Sequence, residues 1–146
     1  MKLEEVQAEW EKDCPIDQAG LGDEAARCPR LHSKYANLLV QAKFNSKRSQ
    51  NKVAELVGIK TRYYNGLMTR EELASRGWHQ YQGKRPLKTE LNDLIQSDED
   101  YIKLSNIEFH HKTTIEFLES VMKELNNRNF HIKSVQEWLK WTNGTI

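Results

Sequence analysis

Residues 97–126 read SDEDYIKLSNIEFHHKTTIEFLESVMKELN, and this stretch decides the fold. Tyr101, Leu104, Glu108, His111, Ile115, Leu118, Met122 and Leu125 recur at steps of three and four, flanked by Ile107, Thr114 and Val121. Such spacing lines one face of an α-helix, whereas a strand would scatter the same residues over both of its faces. The steps also fit a heptad-like seam, which needs a covering surface from either a second copy or the chain's own preceding helix. Ser97-x-x-Asp100 supplies the start signal, so the predicted helix is about 42 Å long at 1.5 Å per residue. The acids Asp98, Glu99 and Asp100 then oppose the positive end of its macrodipole.

Downstream, Asn126-Asn127-Arg128-Asn129 breaks the pattern, Phe130-His131-Ile132 reads as extended, and Ser134-x-x-Glu137 caps a last short helix ending at Asn143-Gly144. Phe130, Ile132, Val135, Trp138, Leu139 and Trp141 form a second apolar group. Residues 101–146 are therefore expected to drive assembly, through Leu104, Ile115, Leu118, Met122, Leu125, Phe130, Ile132 and Trp138.

Upstream, Thr69-x-x-Glu72 is a capping box for a short helix that stops at Gly77, and residues 77–86 form a loop. Tyr63-Tyr64-Asn65-Gly66 ends a long basic helix. Its apolar stripe is Leu31, Tyr35, Leu38, Leu39 and Ala42; residues 45–51 are polar, so the helix is expected to be partly solvated there; Val53, Leu56 and Val57 resume the stripe, with Ile59 as a further candidate. Pro29 either restarts or kinks this helix. Residues 3–12 form a short amphipathic helix, separated from the rest by Pro15, Gly20 and Gly22. The expectation is an all-α fold of long helices with a heptad-like seam and short capped helices, in a single domain over residues 1–146.

A hydrophobic fraction of 38% and a mean hydropathy of −0.81 imply a thin core for 146 residues. No apolar run approaches the roughly 20 residues of a membrane span, and Met1-Lys2-Leu3-Glu4-Glu5 is too acidic for a signal peptide, so a cytosolic protein is expected. Cys14 and Cys28 form no C-x-x-C pair and are expected to stay reduced.

Charge carries the functional signal. Residues 30–70 hold nine Lys or Arg against the single acid Glu55, a net +8, while residues 1–29 carry −5 and residues 71–100 carry −3. A one-sign field of that length points to a polyanion or an acidic protein surface. Within it Lys43, Lys47, Arg48 and Lys52 are candidate phosphate contacts. Cations and aromatic rings occur together twice, in Lys60-Thr61-Arg62-Tyr63-Tyr64 and in Trp78, Tyr81, Lys84 and Arg85. That combination is what single-strand binding uses, cations for phosphates and ring faces for bases, although the same rings could equally pack into a core. Lys60 and Arg62 are expected to be solvated at the helix end.

Catalytic patterns are missing: there is no phosphate loop, dinucleotide fingerprint, G-x-S-x-G or H-E-x-x-H. Neighbours on a helix diverge by about 100°, so His110-His111 cannot chelate one metal. The chain is read as a non-enzyme without cofactor or metal, and without a base-reading signature of the RRM, KH or OB kind.

Met1-Lys2-Leu3-Glu4-Glu5-Val6-Gln7, Lys12-Asp13, Ile16-Asp17, Glu24-Ala25-Ala26, Ser33-Lys34-Tyr35, Tyr63-Tyr64-Asn65-Gly66, Ser97-Asp98 and Asn127-Arg128-Asn129-Phe130-x-Ile132-Lys133 together resemble the UvsY family of T4-like phages, in its marine-phage variant. Glu137-Trp138 and Asn143-Gly144 extend the resemblance to the end of the chain. It implies a homo-oligomeric ring of six or seven subunits that binds single-stranded DNA in the cytoplasm of the infected bacterial host. Such a ring would loosen the phage single-strand-binding protein and help load a RecA-like recombinase of the UvsX type, in recombination, repair and recombination-dependent replication. The family's Lys-x-Arg motif is matched in kind by Lys60-x-Arg62, although Gly58 stands where the family spacing would have a basic residue. A rival expectation is a helical oligomeric scaffold whose basic face meets an acidic protein partner; a metal-dependent nuclease is a more distant one.

Overall fold

The structure is a computed structural model that describes residues 1–144. These residues form six helices and no strand: α1 (Leu3–Asp13), α2 (Leu21–Tyr64), α3 (Arg70–Arg76), α4 (Lys88–Gln96), α5 (Glu99–Asn126) and α6 (Arg128–Thr142). They divide into two compact units, one made of Met1–Asn45 with the chain from His110 onward, the other of Ser46–Phe109. The all-α expectation holds.

In the first unit the apolar stripe of α2 meets α1 and the later part of α5. Val6, Leu31, Tyr35, Ala42, Leu118, Val121 and Leu125 form one buried cluster, with Trp10, Leu38, Leu39, Ile115, Phe117 and Met122 packed around it. Full burial of a side chain such as Leu118 or Val121 contributes about 1.5–3 kcal/mol. The α5 seam from Ile115 onward is thus covered by the chain's own helices. Polar ties surround this core. Lys34 Nζ reaches Glu9 at 2.7 Å and Asp13 at 2.6 Å, and the Tyr35 phenol donates to Asp13 at 2.8 Å.

Buried Arg128 donates to the carbonyls of Cys14 (2.6 Å) and Pro15 (3.1 Å), and its Nη2 lies 3.4 Å from Glu24. That clasp anchors the first turn of α6. Here the sequence reading is corrected: Phe130-His131-Ile132 is helical rather than extended, and Ser134 to Glu137 lies mid-helix. Arg128 and Ile132, four residues apart, share a buried face that Val135 and Leu139 continue at helical spacing.

The second unit is built from the C-terminal part of α2, from α3 and α4, and from the start of α5, with Leu56, Leu73 and Ile95 buried. Thr69 Oγ accepts the Glu72 amide at 3.2 Å, and Gly77 closes α3 in the left-handed conformation (φ 69°). Helix α4 has no counterpart in the sequence reading. Its entry resembles that of α1: the Leu87 amide donates to Glu90 at 3.1 Å, as the Lys2 amide donates to Glu5 at 2.9 Å. The start signal of α5 moves by one residue, because Asp98 Oδ1 accepts from the Asp100 and Tyr101 amides while Ser97 Oγ turns back to the Asp93 carbonyl. The polar stretch of α2 is partly solvated, as the sequence reading expects. Ser46 and Ser49 are buried, continuing at steps of three and four the stripe that runs from Ala42 to Leu56 and Lys60, since small side chains fit where longer polar ones would not.

Candidate nucleic-acid interface

Lys43, in the first unit, and Lys47, Arg48 and Lys52, in the second, are exposed along α2. Among the described residues none of the four makes an ion pair, and neither do Lys84 and Arg85, exposed on the loop between α3 and α4. Phe44, which the sequence reading passed over, is a large exposed ring beside Lys43 on α2.

The aromatic rings of the two sequence clusters come together in the second unit. Tyr63 packs edge-on against Tyr64 (5.1 Å between ring centroids) and Trp78 (5.4 Å), and Tyr64 packs edge-on against Tyr81 (5.0 Å). Their phenols are occupied as well, Tyr63 donating to the His79 carbonyl and Tyr64 to Asp98 Oδ2, each at 2.8 Å. Burial and the bond to Asp98 push the Tyr64 phenol well above its usual pKa. All four rings are half-buried, so they brace the end of α2 and the 77–87 loop while keeping part of each ring at the surface.

Lys60 and Arg62 differ. The side chain of Lys60 is only 6% exposed; its ammonium lies 2.9 Å from Asp98 and 2.9 Å from Asp100, and 4.0 Å from the Trp78 ring centroid. The expectation that both are solvated is therefore corrected for Lys60 and met for Arg62, which is 48% exposed and grips Glu72 through Nη1 and Nη2, each at 2.8 Å. Burial works against the charged Lys60, but the hydrogen bonds it donates to Asp100 and Asp98 outweigh it and hold its pKa above the ordinary lysine value. Asp98 answers in the opposite sense. Burial raises its carboxyl, yet hydrogen bonds from Lys60 and Tyr64 bring it net below the usual aspartate value. The Asp98-Glu99-Asp100 run thus does more than oppose a helix dipole.

Of the residues expected in assembly, Leu118, Leu125 and Ile132 are buried inside the first unit and hold the protomer's own core. Leu104, Ile115 and Met122 are half-buried. Phe130 and Trp138 are exposed, and Trp138 stacks on Trp141 with centroids 5.8 Å apart. No helix among the described residues is long and apolar enough to cross a membrane, and no group of acids, histidines and cysteines among them could hold a metal ion.

The family model described as "Recombination, repair and ssDNA binding protein UvsY" matches residues 9–145. The chain is 29% identical over 141 residues to the "Recombination protein uvsY" of Enterobacteria phage T4, covering 94% of each. Its fold is that of the bacteriophage T4 recombination mediator protein UvsY in two crystal lattices. In one the TM-score is 0.82 at 24% identity, covering 98% of both chains; in another it is 0.80 at 23%, covering 94% of this chain and 98% of that one.

Proposed function

We propose, from the premise that the chain belongs to the UvsY family, that it binds single-stranded DNA as a homo-oligomer and acts as a recombination mediator. The observation that carries this reading is the run of exposed, unpaired cations on α2, at Lys43, Lys47, Arg48 and Lys52. Each can neutralise a phosphate and release a counterion, and Lys84 and Arg85 add two more such groups. Phosphate contact and ring stacking carry no base code, so the strand is bound irrespective of sequence. Half-buried Tyr63 and Tyr64 serve as the ring platform, beside the Lys60-x-Arg62 pair.

The action is physical rather than chemical. Several protomers, in a ring of six or seven, hold one strand at many weak points, each gaining from the high effective concentration set by the others. A strand so bent or wrapped is held less firmly by the phage single-strand-binding protein and is presented to a RecA-like recombinase of the UvsX type. This takes place in the cytoplasm of the infected bacterium, in recombination, repair and recombination-dependent replication. Exposed Phe130 and Trp138, together with half-buried Leu104, Ile115 and Met122, supply the contacts between subunits. The scaffold reading, in which the basic face meets the acidic N-terminal segment of a neighbour, has less support. Glu9, Asp13 and Glu24 of that segment are already engaged with Lys34, Arg27 and Arg128 of the same chain.

Fluorescence anisotropy of labelled oligo-dT across a salt series tests the proposal. The expected log-log slope is about −0.7 per phosphate neutralised, hence steeper than about −2 for the α2 cations alone. Binding that ignores salt, or that is confined to one DNA sequence, would refute it.

A further inference from the structure

Both cations of the Lys60-x-Arg62 pair already hold anionic oxygens from other helices. Arg62 grips Glu72 of α3 with two parallel bonds, and Lys60 holds Asp98, just ahead of α5, and Asp100 in its first turn. An ammonium has three N–H donors. Two of those on Lys60 are engaged by carboxylates and its remaining side faces Trp78, so the site has no free donor for a phosphate. With one cation and two carboxylates the Lys60 site is net negative and repels a strand. The acids are not equivalent. Asp98 is 8% exposed, accepts from the Tyr64 phenol and caps α5 through the Asp100 and Tyr101 amides, so it belongs to the fold. Asp100 is 47% exposed and, among the described residues, its carboxylate pairs with Lys60 alone, and Glu72 is 36% exposed.

We propose that Asp100 and Glu72 occupy the places of phosphodiester oxygens, so that a single strand gains Lys60 and Arg62 only by displacing these two carboxylates. A phosphodiester matches a carboxylate in the relevant terms, one negative charge over two terminal oxygens, and it suits the same two-pronged grip. Lys60 can release Asp100 and still keep Asp98, so the exchange strands no buried charge. Arg62 and Glu72 are exposed, and their pair is weak in water. The exposed cations of α2 therefore make first contact, and the Lys60 and Arg62 contacts follow as a second step whose cost is set by two acids distant in sequence. The inference rests on the proposed DNA-binding function.

Oligo-dT anisotropy with Asp100→Asn, Glu72→Gln and the double variant tests it, with Glu71→Gln, an exposed neighbour on α3, as the equal-charge control. Each of the first two is expected to tighten binding about threefold to fivefold over the control. The salt slope should steepen by about 0.7 for each cation released. Unchanged or weaker binding, or a gain no larger than that of Glu71→Gln, would overturn the inference while leaving wild-type binding intact. Should Asp100→Asn lower the melting temperature, Glu72→Gln decides alone, because glutamine can still cap α3 and both members of that pair are at the surface. A wild-type chain that does not bind oligo-dT would overturn the DNA-binding reading itself, and the inference with it.

Discussion

At the level of single residues, the two members of the Lys60-x-Arg62 pair should differ sharply under truncation. Lys60→Ala leaves the buried Asp98 carboxylate without its cation, and breaking a buried ion pair typically costs about 3–5 kcal/mol. The loss should fall near the lower end, because Asp98 keeps the Tyr64 phenol and two amide donors. Arg62→Ala should scarcely move the urea midpoint, since its partner is exposed and readily hydrated. Equal midpoints for the two variants would contradict the geometry described here. The sequence had flagged both residues from charge and aromatic neighbours, yet it could not tell them apart. What separates them is a pairing across 38 positions of chain, from Lys60 to Asp98, and such a contact leaves no local periodicity to read. The acids at 98–100 were visible, but a helix N-terminus was a sufficient local explanation for them.

Among the elements, helix α2 runs unbroken from Leu21 to Tyr64 with Pro29 inside it. A proline there removes an amide donor and crowds the preceding turn, which ordinarily ends or bends a helix. Contacts on both sides hold the register: Glu24 and Arg27 are tied to the end of α1 and to Arg128, while Leu31 and Tyr35 are in the core. Pro29→Ala should therefore stabilise the protein by about 1–3 kcal/mol, restoring a helical hydrogen bond without disturbing any contact of those residues. A lower melting temperature for this variant would mean that Pro29 has a packing role of its own. The helices that were legible, α1, α2, α3 and α5, are those with a long apolar stripe or a full capping signal. Helix α6 was misread at its start because an asparagine run followed by Phe130-His131-Ile132 looks extended locally, whereas Arg128 reaching the carbonyls of Cys14 and Pro15 makes it a helix. Helix α4 is short, with one buried residue, Ile95, too little to generate a readable period.

For the whole molecule, the question is which apolar surface remains once each unit has covered its own core. The seam of α5 that pointed most strongly to assembly is partly consumed within the chain, since Ile115, Leu118, Val121, Met122 and Leu125 pack with α1 and α2. Phe130, Trp138 and Trp141 are left exposed on α6, the last two at 61% and 78% and stacked on one another. Large aromatic side chains held in that way favour a protein partner, because they desolvate much area at little cost in side-chain entropy. Deleting residues 130–146 would be a poor test, as it also removes buried Ile132 and leaves only Arg128 and Asn129 of α6. Trp138→Ala with Trp141→Ala removes exposed rings alone. In sedimentation the double variant should lose subunits while keeping its helical circular dichroism, and its affinity for oligo-dT should fall on the order of tenfold or more, because the strand is then held by fewer linked sites. An undiminished affinity in a dispersed variant would mean that one protomer suffices for binding. An intact oligomer would move the subunit contact to another surface, with the exposed Ile102 and Ile107 on the early turns of α5 as the next to substitute.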